Sequence, residues 1–326
     1  MKKNRQNLIA LVISLCFVSV VFYNIDIKQL LSTFSLLNWK ILLLACPVYL
    51  LSLFLRGIRW KKLLPQEGTF SAEELSCLYS TGTALNIFFP ARAGDFFRAI
   101  FLGKKYNFSK LKILSSIFLE KTFDGLTVVS LLLIGALFFQ NNSLITKLSE
   151  SGFLLFGGCL CLTLGLLKLN NFDKISEHIK KTSSDRFHKI IDFITIHINS
   201  FKNGLIPVLD AKIASSTAVL SIIIWVLECV VINILLLSFG FEINYSASLF
   251  VTAFVSLSTI IPSTSIFIGP YQYAFILALG LYNIDKTSAL AVAFTQQSIT
   301  IIIVSIITLA FFMKNNIKFE DIKDTK

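Results

Sequence analysis

The chain has 326 residues, of which 55% are hydrophobic and only 15% are charged, and its mean hydropathy is +0.74. These values exclude an ordinary soluble domain of this length. We therefore predict an all-α polytopic membrane protein that forms a single transmembrane domain over 1–326. The formal net charge of +11 does not indicate nucleic acid as a partner, because in a membrane protein the positions of the charges matter more than their sum.

Of the 30 basic residues, 23 fall into five groups along the chain, and these groups set the predicted topology. They lie before the first apolar stretch, after the second, around 104–112, across 168–212 and after Met313. Cytoplasmic loops are enriched in Lys and Arg. We therefore predict a multi-pass protein of the plasma (inner) membrane with both termini in the cytoplasm.

In chain order, the apolar stretches 8–23 and 41–55 predict the first two spans. The first stretch follows basic residues as in a signal peptide, but no small-residue cleavage pattern follows it. It is therefore interpreted as an uncleaved span.

The third apolar stretch leaves the cytoplasm near Ser71 and must return to it by Lys104. Pro90 removes a backbone donor and Gly94 permits a turn, so a re-entrant helical hairpin with these two residues as its hinge is predicted. A charged side chain at membrane depth costs several kcal/mol and therefore normally faces a cavity or a partner. Three such side chains lie in this hairpin: Arg92, Asp95 and Arg98.

Two further spans, within 113–139 and 153–169, complete the first half, 1–169. A polar segment at 170–212 follows, with an apolar helical face beside basic residues. We expect an amphipathic cytoplasmic helix that either lies on the anionic inner leaflet or docks on the protein itself. The apolar face comprises Phe187, Ile190, Ile191, Ile194, Ile198 and Phe201.

The second half, 213–326, begins with a span at 213–239 and ends with one at 289–313. Between them, 247–281 is broken by Pro262, Gly269 and Pro270, which predicts a second hairpin that opens from the outside. The total is about six full spans and two re-entrant hairpins. Asn107 and Glu120 are separated by the same spacing as Asn283 and Gln296, which indicates an inverted-topology repeat with a site near the midplane.

Arginine cannot lose its proton at ordinary pH, so Arg92 and Arg98 need carboxylates or a phosphate as partners. The available acids are Asp95, Glu120 and Asp124, the last two on one helix face. Two interpretations stay open. In one, a basic pocket receives a lipid phosphate while the acids hold the arginines or accept an amine; in the other, an ion-pair network only fixes the hairpin.

Other polar residues of the apolar stretches carry weaker predictions. Arg56 and Arg59 are expected to snorkel at the interface, with a phosphate gate as the alternative. Glu228 has no local cation and is expected to be protonated or to face water unless a base reaches it. The remaining candidate substrate contacts are three side-chain amides: Asn86, Gln272 and Gln296. A buried amide whose hydrogen bonds are satisfied within the protein is an equally ordinary interpretation.

No cofactor or metal is expected. The six cysteines form no Cys-x-x-Cys pair, and no Gly-x-x-x-x-Gly-Lys loop occurs, so any drive for transport must come from a gradient or from downstream consumption.

Several motifs together resemble the flippase-like family named after the transmembrane region of lysylphosphatidylglycerol synthase. This chain departs from the family in the second hairpin, where Ser265-Ile266 stands in place of the usual Pro-Gly pair and Gln272 stands where family members often have Glu. The resemblance covers nearly the whole chain and rests on Arg56-Gly57-Ile58-Arg59-Trp60, Asn86, Pro90 to Arg98, Glu120-Lys121-Thr122-Phe123-Asp124, and Pro262 through Gly269 to Gln272.

The resemblance implies a lipid-translocating membrane protein that acts on phospholipid or polyprenyl-linked headgroups. In the synthase a soluble aminoacyl-transferase domain follows; this chain ends thirteen residues after Met313, so we expect only the transport half and no enzymatic activity. We expect replacement of Arg92 and Arg98 by alanine to abolish translocation without unfolding the protein.

Two other classes of function stay open. One is a membrane enzyme for lipid-phosphate headgroups with Asp95, Glu120 or Asp124 as base, although a polar segment of about forty residues is small for a donor-binding domain. The other is a non-transporting scaffold for an enzyme of a lipid pathway.

Overall fold

The computed structural model describes residues 20–23, 25–65, 67–89, 92–136, 143–168, 185–259 and 269–317. These residues contain helices and no strand, which confirms the all-α prediction. The helices are α1 Ile27–Ser35, α2 Trp39–Leu43, α3 Ala45–Leu63, α4 Ala72–Phe88, α5 Ala93–Tyr106, α6 Lys110–Ala136, α7 Ser143–Lys168, α8 Asp185–Leu205, a 3₁₀ turn Ile206–Leu209, α9 Ala211–Ser238, α10 Tyr245–Ser258, α11 Pro270–Gly280 and α12 Lys286–Lys314.

Four segments are long and apolar enough to cross a membrane: Trp39–Leu63, Glu150–Lys168, Ala211–Ser238 and Lys286–Lys314. Helix α6 has 27 residues and, at 1.5 Å per residue, spans about 40 Å. It also carries charged residues of the candidate site. Of the predicted first span, only 20–23 lie in the described part. The polytopic membrane architecture is confirmed.

Helices α4 and α5 form the first predicted hairpin. The backbone N–H of Gly94 donates to Oδ1 of Asn86 across the turn, at 2.8 Å. A Cβ atom at Gly94 would collide with the carbonyl oxygen of Gly82, so the two helices approach more closely than any side chain permits. Arg92 precedes α5 with a left-handed backbone, φ 53°. Pro90, the other predicted hinge residue, lies outside the described residues.

Helices α10 and α11 form the second hairpin. Gly269 has φ 107°, a conformation that favours glycine, and its N–H donates to Oε1 of Gln272 at 2.8 Å. An amide side chain therefore caps the returning helix here as Asn86 does in the first hairpin. Pro262 lies outside the described residues.

The two hairpins open toward opposite ends of the molecule. Lys314, at the end of α12, pairs with Glu73 at the start of α4 (3.3 Å), and Lys105, at the end of α5, pairs with the neighbouring Glu74 (2.7 Å). The first hairpin therefore opens where α12 ends. Helix α11 leads directly into the start of α12, so the second hairpin opens at the other end.

The sequence repeat corresponds to a structural repeat. Asn107 and Asn283 both follow a returning hairpin helix with left-handed backbones, φ 59° and 60°. In each case the next residue donates its N–H to a carbonyl five residues earlier, 3.0 Å in the first half and 3.2 Å in the second. Helix α4 packs against α12, and α10 packs against α6. The inverted repeat is thus present in local turns and in helix packing.

The amphipathic helix α8 docks on the protein through its C-terminal part. Phe201 packs against Phe118 of α6 with ring centroids 6.0 Å apart, and Leu205 is fully buried. Its N-terminal part keeps apolar side chains exposed, with Phe187 and Ile190 each 53% exposed. Docking on the protein is observed for one end of the helix, and contact with the inner leaflet stays a prediction.

Candidate functional site

Arg59 and Asp124 form a buried ion pair in the described core. Nη1 and Nη2 of Arg59 donate to the two carboxylate oxygens at 2.6 and 2.9 Å. Nη1 also donates to Ser221 on α9 at 2.8 Å, and Nε1 of Trp225 donates to the same carboxylate at 2.9 Å. The pair therefore joins α3, α6 and α9 at one point.

Arg98 and Glu120 form a second bidentate pair, at 3.2 and 2.8 Å, between α5 and α6. The guanidinium lies 3.9 Å from the ring centroid of Trp60 and 4.7 Å from that of Tyr79, which adds cation–π attraction in a desolvated site. Lys121 reaches the same carboxylate at 3.2 Å. Arg98 is thus engaged by Glu120, Trp60 and Tyr79.

Arg56 supplies the cation that the sequence did not reveal for Glu228. Its Nη2 donates to Oε1 of Glu228 at 3.0 Å, and Ser52 donates to the same oxygen at 2.7 Å. The exception stated for Glu228 therefore applies, because a base reaches it from another helix. The predicted interfacial role for Arg56 and Arg59 is wrong, because these side chains are only 8% and 0% exposed and point into the helix bundle.

Among the described residues of this core, the positive charges exceed the negative charges by one. Four cations face four carboxylates, and each cation has an acid within 3.2 Å. The cations are Arg56, Arg59, Arg98 and Lys121, and the acids are Asp95, Glu120, Asp124 and Glu228. Arg92 is a fifth cation. Its side chain is exposed, and among the residues that the structure describes no carboxylate lies within ion-pair distance of it.

A cavity of about 430 Å³, here called the hairpin cavity, lies between the first hairpin and α6, α7, α9 and α10. Arg92, Arg56 and Lys121 line it together with Asp95 and Asp124. Arg59, Arg98 and Glu120 are absent from its lining. The polar and charged lining residues also include Asn86, Tyr79, Thr83, Trp225, Ser256 and Thr259.

A second cavity of about 200 Å³, here called the Glu228 chamber, adjoins the first. Six residues line both cavities: Arg56, Tyr79, Thr83, Trp225, Ser256 and Thr259. Gln296 lines the chamber. Gln272 does not; its amide caps α11 and donates to Gln297 at 2.7 Å, so it stabilises the second hairpin.

The structure thus separates the sequence-predicted residues into two sets. Arg92, Asp95, Asn86, Asp124 and Gln296 line cavities, whereas Arg98, Arg59, Glu120 and Gln272 are engaged in internal contacts. Three further residues line the hairpin cavity although the sequence analysis gave them no site role: Lys121, Tyr79 and Trp225. Only Lys121 carried a signal in the sequence, because it is a charge at membrane depth.

The family model described as "Lysylphosphatidylglycerol synthase TM region" matches residues 7–308. The chain belongs to this family. The chain is also similar to the UPF0104 membrane protein MJ1078 of Methanocaldococcus jannaschii, with 27% identity over 66% of this chain and 87% of that protein. The glycosyltransferase AglD of Haloferax volcanii is 23% identical over 84% of this chain and 49% of that protein. This member of the lysylphosphatidylglycerol synthase TM family therefore spans about half of AglD.

Proposed function

We propose that this protein is a lipid translocase of the flippase type, in which the phosphate of a lipid headgroup binds Arg92 in the hairpin cavity. The observation that carries this proposal is the charge distribution of the core. The other four cations face internal carboxylates, whereas Arg92 adds a positive charge that no described carboxylate neutralises. A phosphodiester carries one negative charge and supplies the missing partner for a guanidinium.

The cavity around Arg92 suits a headgroup in size and composition. Its volume of about 430 Å³ lies within the range of small-molecule sites. Lys121 and Arg56 line the same space, so a phosphate at Arg92 has further cations nearby. Acyl chains would remain in the bilayer while the headgroup occupies the cavity.

The buried ion pairs have a different role in this proposal. Arg59 with Asp124, and Arg98 with Glu120, fix the relative positions of α3, α5, α6 and α9 around the cavity. Glu120 and Asp124 are bound to arginine, and Asp95, the third candidate base, lies 3.6 Å from Arg98. A carboxylate paired with a cation is a weaker proton acceptor, which favours transport over covalent chemistry on the headgroup. We therefore propose a non-enzymatic role, although the relative AglD is named a glycosyltransferase.

The two oppositely oriented hairpins supply a path for the headgroup. In inverted repeats, movement of one half relative to the other exposes a central site to each side in turn. We propose that the substrate is a phospholipid or a polyprenyl-linked lipid, that the protein resides in the plasma membrane with cytoplasmic termini, and that an enzyme of the same lipid pathway is a partner that consumes the transported lipid.

The test is translocation of fluorescent phospholipid by purified protein in liposomes. Arg92→Ala should reduce the rate by about tenfold or more, since a charge-assisted hydrogen bond contributes about 1.5–3 kcal/mol. Arg92→Lys should retain part of the rate. The matched control is Lys104→Ala, which removes one exposed positive charge at the end of α5, away from the cavity. Equal rates for Arg92→Ala and the wild type would exclude this proposal.

A further inference from the structure

Apart from Arg56, which pairs with Glu228, the described residues that line the Glu228 chamber include no cation. Both Arg56 and Ser52 bind Oε1 of Glu228, and no described residue forms a hydrogen bond with Oε2. Gln296 is only 6% exposed, and its Oε1 has no hydrogen-bond partner among the described residues. A buried carbonyl without a hydrogen-bond partner is unfavourable, so an acceptor that lines a cavity indicates a ligand with donors.

Hydroxyl groups on α10 and at its C-terminal end extend this acceptor surface. The hydroxyl of Thr252 donates to the carbonyl of Ser248 at 2.6 Å, and that of Ser256 donates to the carbonyl of Thr252 at 2.6 Å. Thr259 donates in the same way to Ser256 at 2.7 Å. Each hydroxyl proton is therefore used, and each oxygen keeps lone pairs for an incoming donor.

The charge of the chamber selects among donors. Arg56 lies 3.0 Å from Glu228 and neutralises it, so no net negative charge is left to offset the desolvation of an ammonium group. The acceptors equally disfavour a second phosphate. A neutral group with several hydroxyl donors fits both conditions. Tyr49, Tyr271 and Trp225 provide the aromatic surface of the same chamber.

We infer that the Glu228 chamber binds the hydroxyl groups of a polyol headgroup, whose phosphate occupies the hairpin cavity beyond Arg56. This inference rests on the proposed function, because it identifies the substrate as a phosphodiester with a neutral polyol. The polyol is the glycerol of a phospholipid or the sugar of a polyprenyl phosphate, which share the same donor chemistry.

The experiment measures binding by the full chain in detergent, as the rise in thermal unfolding temperature with short-chain lipid. The probes are dihexanoyl phosphatidylglycerol, phosphatidylethanol, which has the same charge but no headgroup hydroxyl, and phosphatidylethanolamine. Farnesyl phosphoryl glucose tests the polyprenyl source. We expect phosphatidylglycerol or the glucose lipid to bind about fivefold more tightly than phosphatidylethanol, which corresponds to about one net hydrogen bond.

Variants separate the two sites. Gln296→Leu should lower the affinity for the polyol lipids to that for phosphatidylethanol, whereas Arg92→Ala should weaken binding of every probe. Thr252→Val should act like Gln296→Leu. Its matched control is Thr308→Val, because Thr308 is also buried and donates to a carbonyl four residues earlier at 2.6 Å, but lies outside the chamber.

The outcomes distinguish this inference from the proposed function. Equal binding of phosphatidylglycerol, the glucose lipid and phosphatidylethanol, all lost in Arg92→Ala, would overturn the polyol subsite and keep the phosphate site. Tightest binding of phosphatidylethanolamine would assign the chamber to an amine and also overturn the inference. Binding of no probe, or binding that Arg92→Ala leaves unchanged, would reject the phosphate site itself.

Discussion

Arg59 on α3 binds both oxygens of Asp124 on α6, at 2.6 and 2.9 Å, and its side chain is completely buried. Two residues 65 positions apart in the chain are thereby held in one geometry. A buried pair of this kind contributes little compared with apolar packing, but either partner alone is a buried charge. The pair therefore specifies where the helices meet.

The first prediction concerns this pair. Arg59→Ala should lower the free energy of unfolding by about 3–5 kcal/mol, because it leaves Asp124 buried and without its main partner. Thermal unfolding in detergent measures the effect. The double variant Arg59→Met with Asp124→Leu removes both charges and should recover most of the loss. A single variant as stable as the wild type would show that Asp124 is solvated.

Close approach of the two helices in the first hairpin gives a second prediction. Gly94→Ala places a Cβ against the carbonyl of Gly82 and should destabilise the protein by about 1–3 kcal/mol, as expected for overpacking. Gly157→Ala is the control, since no atom lies within 4 Å of a Cβ there, and it should unfold at or above the wild-type temperature. Equal behaviour of the two variants would contradict the hairpin packing.

Arg92 and Arg98 should differ in their effect on stability, which is the third prediction. Arg98→Ala leaves Glu120 buried without its bidentate partner and should cost about 3–5 kcal/mol. Arg92→Ala removes an exposed side chain and should change stability by about 0.5 kcal/mol or less. Denaturation curves of both variants measure this difference. Equal losses would mean that Arg92 also has an internal partner.

Opposite orientation of the hairpins gives a fourth prediction. In a variant without native cysteines, Lys104→Cys reports the open end of the first hairpin, and Gly280→Cys reports that of the second. Both positions are exposed, and a Cβ at Gly280 meets no atom within 4 Å. A membrane-impermeant thiol reagent should label the two variants from opposite sides of the membrane. Labelling from the same side would exclude an inverted repeat.

Local signals made the hairpins and the repeat predictable from the sequence. Gly94 and Gly269 mark turns because glycine permits conformations and close approaches that other residues do not. The equal spacings after Asn107 and Asn283 correspond to the same type of helix end in both halves. The groups of basic residues also predicted that several helix ends lie on the same side of the molecule. Three described ion pairs at that side agree: Lys105–Glu74, Lys112–Glu67 and Lys314–Glu73.

The partners of the buried charges were not predictable. Arg56 and Glu228 are 172 residues apart, and nothing local to either residue indicates the other. Arg98 was predicted as a ligand for phosphate, but the structure surrounds it with Glu120, Trp60 and Tyr79. A sequence shows that charges at membrane depth need partners; only the packing of helices determines which charge stays open to a cavity.

Lipid retention by the purified protein reports whether Arg92 holds a phosphate. In native mass spectrometry, wild-type protein and Lys104→Ala should carry a bound lipid that contains phosphate. Arg92→Ala should bind this lipid at least about tenfold more weakly and therefore carry less of it, given about 1.5–3 kcal/mol for a charge-assisted hydrogen bond. Equal occupancy in Arg92→Ala and the wild type, or a retained lipid without phosphate, would contradict the account.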